Sequence, residues 1–203
     1  MAQYDTVADD ATITNTKAAL EANGFTVTVV ENGEAAKGAA LDSIPKGAEV
    51  MTMTSKTLEA LGLTKILNES GEYDSVRARL NSMHGDPSKK REARKLGTAP
   101  DYAIGSVHAL TQDGHALIAS ASGSQLPGYV YGAGSVVWVV GAQKIVADFT
   151  TAEDRLRSYV FPLEDARAHE AYGSGSSINF EVRYNKDAAG RVHIIIVKEA
   201  LGF

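Results

Sequence analysis

Cysteine is absent from this chain of 203 residues. That removes disulfides, thiol catalysis, zinc–thiolate sites and cysteine-ligated iron–sulfur clusters together. Long apolar runs are also missing; none approaches the roughly 20 residues needed to span a bilayer. The first residues, Met-Ala-Gln-Tyr-Asp, carry neither the basic nor the apolar part of a secretory signal, so a cytoplasmic location is expected. There is no basic excess. The net charge is −5 and the pI is near 5.5, which argues against a protein that coats nucleic acid or anionic membrane. No Walker sequence and no Gly-x-Gly-x-x-Gly opening a helix are found, so a nucleotide site has no motif support. A nucleophile-elbow pattern is missing too. His108 and His115 lack a metal spacing and have no acidic cluster beside them, so no metal and no cofactor are expected.

What is present is ordinary for a globular α/β domain: 44% hydrophobic and 22% charged residues. The most informative stretch is 118–141, IASASGSQLPGYVYGAGSVVWVVG. It reads as a strand, a small-residue loop, a short helix, then a second strand with almost no polar side chain. Residues 136–140 are apolar on both faces of the pleat, which a strand covered on both sides requires.

Elsewhere, helices and strands alternate. Residues 1–9 read as a loose arm. A helix follows to Asn23 and stops at Gly24, and residues 25–30 form a strand. Asn32 opens an alanine-rich helix ending near Ile44; residues 48–53 are a short buried strand, and Thr54-Ser55 cap a helix closed by Gly62. Residues 64–100 are polar and helical in pattern, with Asp86-Pro87 as a start and Gly97 as a stop. Lys89, Lys90, Arg91, Arg94 and Lys95 there read as a solvated face. Residues 102–110 and 115–120 form a hairpin about Gln112-Asp113-Gly114. Residues 151–160 and 163–172 are helical. Residues 178–185 alternate strictly and residues 192–197 are apolar, which predicts a C-terminal antiparallel hairpin with Phe180, Val182, Ile194 and Ile196 inward. Nothing marks a second domain, so residues 1–203 are expected to form one.

The blocks GSVHALTQDGHALIASASGSQLP and YGAGSVVWVVGAQKIVADFTTAEDRLRSYVFPLE, within 105–164, resemble the lactate-utilisation (LUD, LutC-type) domain family. IPKGAEVMTMTSKTLEALGL, residues 44–63, is similar to the same family. The resemblance implies a three-layer α/β/α sandwich with a mostly parallel sheet, similar to ribose-phosphate isomerases and CoA transferases. It also implies a place in bacterial conversion of lactate to pyruvate, beside partners that hold iron–sulfur clusters. Two departures matter. Many relatives carry an acid and then Thr-Gly where Gln112-Asp113-Gly114 stands here, and longer relatives add cysteine-rich segments that this chain lacks. Any electron transfer would therefore belong to a partner.

Two loops are candidate anion sites. Thr54, Ser55, Lys56 and Thr57 leave a buried strand and enter a helix, whose first N–H groups favour an anion; the alternative is a plain cap with a solvated lysine. Ser120, Ser122, Gly123, Ser124 and Gln125 present several donors and a glycine that permits close backbone approach; the alternative is a tight connection. Lys144 is expected at the same mouth, or else on the surface. His108 and Asp113 are the candidate acid or base, although a histidine so placed is more often structural. Two functions follow. One is binding of a small anionic metabolite in lactate or related organic-acid metabolism, as a non-redox accessory subunit. The other is a self-sufficient isomerase or transferase acting on a sugar phosphate or CoA thioester.

Overall fold

The computed structural model describes residues 4–203. Its main sheet has six strands, all parallel. Their spatial order is β1 (Thr26–Val30), β10 (Val192–Val197), β7 (Ser135–Gly141), β4 (Tyr102–Gly105), β2 (Glu49–Thr52) and β3 (Asp74–Ser75). The pleat of β7 divides two cores. Val136, Trp138 and Val140 join the first, with Ile13 and Leu20 of α1 (Asp10–Ala22). Val137 and Val139 join the second, beneath α2 (Gly33–Asp42), α3 (Lys56–Ala60) and α4 (Leu63–Glu69). This is the expected α/β sandwich.

A second sheet has the order β8 (Ile145–Val146), β5 (Ala109–Thr111), β6 (Ala116–Ser120), β9 (Phe180–Tyr184). Leu110, Ala116 and Ile118 on one of its faces enter the same core as Trp138. Leu117 and Ala119 on the other face pack under the helical run that begins with α7 (Phe149–Arg155) and ends with α8 (Phe161–Tyr172). Between these two lies one widened turn, Leu156–Val160. Pro162 follows it; proline has no N–H to donate to the carbonyl four residues back and its ring crowds that carbonyl, which fits the widening.

Local signals hold well. Asp9, Asn32, Ser55 and Asp148 each accept a backbone N–H at a helix start. Gly24 closes α1 with φ of +90°, a conformation that side chains other than glycine rarely adopt. The polar 64–100 segment contains α5 (Val76–Ser82) and α6 (Lys90–Leu96), and also the edge strand β3, which its composition did not suggest. The basic residues of α6 are exposed.

Three expectations are corrected. First, the strand expected over 102–110 breaks at Ser106, Val107 and His108, where the chain passes from one sheet to the other. Second, there is no C-terminal hairpin. β9 pairs antiparallel with β6, whereas β10 inserts parallel between β1 and β7, placing Ile194 beside Trp138. The reason is burial: Ile194, Ile195 and Ile196 are all fully covered, and a hairpin would have left one face of that strand open. Phe180, expected inward, lies past the end of the core and is 49% exposed. Third, the arm is not loose where it is described, while residues 1–3 lie outside the described residues. Tyr4 donates a hydrogen bond to Asp154 at 2.6 Å, and Val7 and Ala8 pack on the core. Among the described residues, no helix is long and apolar enough to cross a membrane.

Buried and exposed aromatic positions differ in what they tolerate. Trp138→Ala should destabilise the protein by about 3–5 kcal/mol, whereas Phe180→Ala should cost about 1 kcal/mol or less. Urea denaturation of both variants checks this, and equal losses would mean the faces of β9 have been misassigned.

Candidate functional site

β2, β4 and β7 are neighbours in the sheet, so the segments that follow them meet at one edge. After β2 the chain moves outward to β3; after β4 it passes through β5 and β6 of the second sheet and re-enters the main sheet on the other side, as β7. Connections that diverge in this way leave a crevice at the carboxyl ends of the strands. A cavity of about 250 Å³ occupies that place. Its walls are the segments after β2 and β4, the loop after β6, the helical run 156–172, and the residues from Ser176 to Ile178.

Lys144 reaches this cavity from the turn Ala142–Lys144, directly after β7. Its side chain is almost wholly buried, at 2% exposure. The amine donates to Thr57 Oγ1 at 3.1 Å and to Ser106 Oγ at 3.2 Å. Neither partner is charged, and no carboxylate helps to hold its proton. Burial, with the nearby Arg155 guanidinium as a smaller cause, brings the amine from the usual lysine range down to about 7. Thr57, expected as a ligand group, sits behind Lys144 and donates to the Leu201 carbonyl at 3.0 Å.

His108 lies at the sheet-to-sheet crossing. Its Nδ1 accepts the Ala119 N–H at 3.0 Å, so the neutral ring carries its proton on Nε2. Burial, then Lys144 and Arg155, push its pKa down to about 3. At neutral pH His108 is uncharged, carries its proton on Nε2 and has little strength as a base. Arg155 braces it from behind by donating to its carbonyl. That guanidinium is fully buried, stacks 5.3 Å from the Tyr159 ring, and leaves Nε and Nη2 without partners.

The charge balance of the lining is positive. Lys56, Arg77, Lys144 and Arg167 face two acids, Glu59 and Glu164. Both acids are engaged, Glu59 with Lys56 at 2.8 Å and Glu164 with Nη2 and Nε of Arg167 at 2.6 and 2.7 Å. Arg77 donates twice to the Thr52 carbonyl, at 3.1 and 2.8 Å, and has no carboxylate partner. Two cations are thus left without a counter-ion in a chain whose net charge is −5. Among the described residues, no group of three or more metal-ligating side chains comes together.

The loop after β6 borders the cavity, although β6 belongs to the second sheet and not to the parallel edge. Ser122, Ser124 and Gln125 line it. Their polar groups mostly serve the loop itself. Ser120 donates to Gln125 Oε1 at 2.8 Å and accepts the Gly123 N–H at 2.9 Å; Gln125 donates to the Ala119 carbonyl at 3.0 Å. Gly123 does not line the cavity. Its φ is +75° and a Cβ there would meet the Phe180 ring at 3.4 Å, so its need for glycine is conformational.

The structure therefore gathers Thr54, Ser55, Lys56, His108, Ser122, Ser124, Gln125 and Lys144 around one cavity. It leaves out Asp113, which sits in the β5–β6 turn against α1, where Asn23 donates to its carbonyl at 3.3 Å. Sequence reading missed Ser106, Arg77, Arg155, Tyr129 and Arg167. Ser106 was hidden inside a strand drawn too long. The three arginines lie in helices, whose pattern gives a face but not a depth.

The buried amine has a measurable signature. The unfolded chain keeps Lys144 protonated to about 10.4, while the folded protein releases that proton near 7. Between these values the unfolded state binds more protons, so stability from this group rises with pH. Lys144→Met should remove that part of the slope in urea denaturation between pH 7 and 10. Identical slopes in both proteins would show that the amine is not buried as described.

A model of the LUD domain matches residues 13–197. Comparison with the curated proteins finds no match. Among solved structures, a DUF162 family protein from Deinococcus radiodurans is similar over 95% of this chain and 99% of that one, with a TM-score of 0.58 and 10% sequence identity. At that identity the likeness shows the fold alone. The family rests on the model match, which takes in both blocks that meet at the cavity, and on that ground the chain belongs to the LUD domain family.

Proposed function

We propose that this LUD-domain protein binds a small anionic metabolite in the cavity at the carboxyl edge of β2, β4 and β7. The carrying observation is the pair of uncompensated cations there, Lys144 and Arg77. A buried cation without a counter-ion is unfavourable, and a bound carboxylate or phosphate offsets that penalty. The Nε2–H of His108 and the hydroxyls of Thr54 and Ser55 supply further donors. The helix start at Ser55 adds little, because α3 has only five residues.

Family membership relates the chain to lactate-utilisation proteins. With no cysteine to ligate a cluster, its role there is non-redox, as a cytoplasmic accessory component in bacterial lactate or related organic-acid metabolism, beside iron–sulfur partner proteins. Transfer of a CoA thioester is the weaker alternative, since it needs a free carboxylate nucleophile and both acids of the lining are already paired.

Calorimetry with lactate, acetate and phosphate tests the reading. Lys144→Met should weaken carboxylate binding about tenfold or more, as loss of a hydrogen bond to a charged group does. Lys56→Ala should weaken it only about threefold, because an exposed, paired lysine contributes roughly 0.2–1 kcal/mol. Carboxylates stay ionised between pH 6 and 8, whereas Lys144 gains its proton as pH falls through about 7. Affinity for acetate should therefore rise from pH 8 to pH 6 in the native protein and stay flat in Lys144→Met. No heat with any of the three anions at millimolar concentration would overturn the proposal.

A further inference from the structure

We infer that Lys144 captures carbonyl compounds: its amine forms a reversible imine with a small ketone that also carries a carboxylate or phosphate. This rests on the anion-binding reading of the same cavity and goes beyond it by naming the functional group that the ligand presents.

Four observations carry the inference. Lys144 is part of the wall of a cavity and not of a closed core, so a small molecule held there lies against it. Its partners are two hydroxyls, Thr57 Oγ1 and Ser106 Oγ, which fix its position and do not lock its proton as a carboxylate would. Thr57 and Ser106 come from segments after β2 and β4, and Lys144 follows β7, so three adjacent strands set the position of one nitrogen. Finally, Arg77 and His108, whose proton is on Nε2, line the same cavity as Lys144 and offer N–H donors for an anionic group on the same ligand. Desolvation and the Arg155 charge also keep a substantial neutral fraction of the amine near pH 7, as nucleophilic lysines require.

The step balances without an oxidant or reductant. The neutral amine's lone pair adds to the ketone carbon, and the carbonyl oxygen takes up a proton as the nitrogen loses one, giving a carbinolamine. Loss of that oxygen as water forms the C=N bond. Addition of water reverses both stages. A hydroxy acid such as lactate has no carbonyl and binds only as an anion.

Two ketones serve as probes, pyruvate for a 2-oxo acid and dihydroxyacetone phosphate for a phosphorylated ketone. Each is incubated with the full chain and sodium cyanoborohydride at pH 7, followed by intact mass measurement and peptide mapping. One reduced adduct per chain, located on Lys144, is expected with at least one probe, and the responding probe identifies the anion class. Lactate should give no adduct and should slow labelling by competition. Lys144→Arg, which retains a cation, should lose the adduct while keeping the circular dichroism spectrum of the native protein. Absence of any adduct with both probes overturns the inference, as does labelling spread evenly over surface lysines or unchanged in Lys144→Arg. Calorimetry separates the two levels. If lactate or phosphate binds but neither ketone is trapped, the covalent step alone fails; if no anion binds and nothing is trapped, the anion site fails with it.

Discussion

Burial of β7 on both faces is the constraint from which the rest follows. Its five residues from Val136 to Val140 are all covered, and each alternate side chain enters a different core. Such a strand needs a neighbour on each side and a layer on each face. β4 and β10 supply the first and the helices with the second sheet supply the others. Trp138 ties this together. Its ring meets Phe25 at 6.3 Å, Tyr129 at 5.5 Å and Tyr184 at 5.3 Å; Phe25 leads into β1, Tyr129 lies in the helical turn Gly128–Gly132 before β7, and Tyr184 ends β9 of the second sheet.

The same strand determines the chemistry of the cavity. Gly141 ends β7 within a crowd of backbone from the C-terminal segment, including the Leu201 N–H and the Glu199 carbonyl, so no side chain fits there. The chain turns at once, and Lys144 is delivered inward. A lysine in that position is exposed only slightly, toward the cavity, and finds two hydroxyls as its partners. Its burial is unfavourable by itself and is tolerated because the large cores stabilise the surroundings. Arg155 repeats the pattern one layer further in, with two nitrogens unpartnered behind His108. Burial is the main cause that lowers the pKa values of Lys144, His108 and Arg155; the Arg155 charge adds to it at Lys144, and both cations add to it at His108. The cavity lining thus carries more basic than acidic side chains within a chain whose net charge is −5.

Much of the local structure was legible. Helix starts at Asn32 and Ser55, the stop at Gly24, the hairpin about Asp113-Gly114 and the buried character of β7 all rest on interactions within a few residues, which a sequence states directly. The pairing of β9 and β10 was not legible. Both segments have good strand patterns and a short turn between them, and a hairpin satisfies every local rule. What separates them is that one is apolar on both faces and the other on one, and only the position of every other strand shows that a central slot is open for the first and an edge for the second.

The candidate site divides in the same way. Thr54, Ser55, Lys56 and the loop after β6 were recognisable as segments that leave strands, and the cavity contains them. The sequence by itself determined most of the strands, the caps, the absence of thiol chemistry and the family, because these depend on residue type and short spacing. Tertiary structure alone decided that Lys144 is buried, that Asp113 is remote, that Gly123 serves the backbone, and that Arg77 and Arg155 stand without carboxylates. Depth and charge pairing depend on which distant segments meet, and a ligand's chemistry depends on those two quantities more than on the order of residues along the chain.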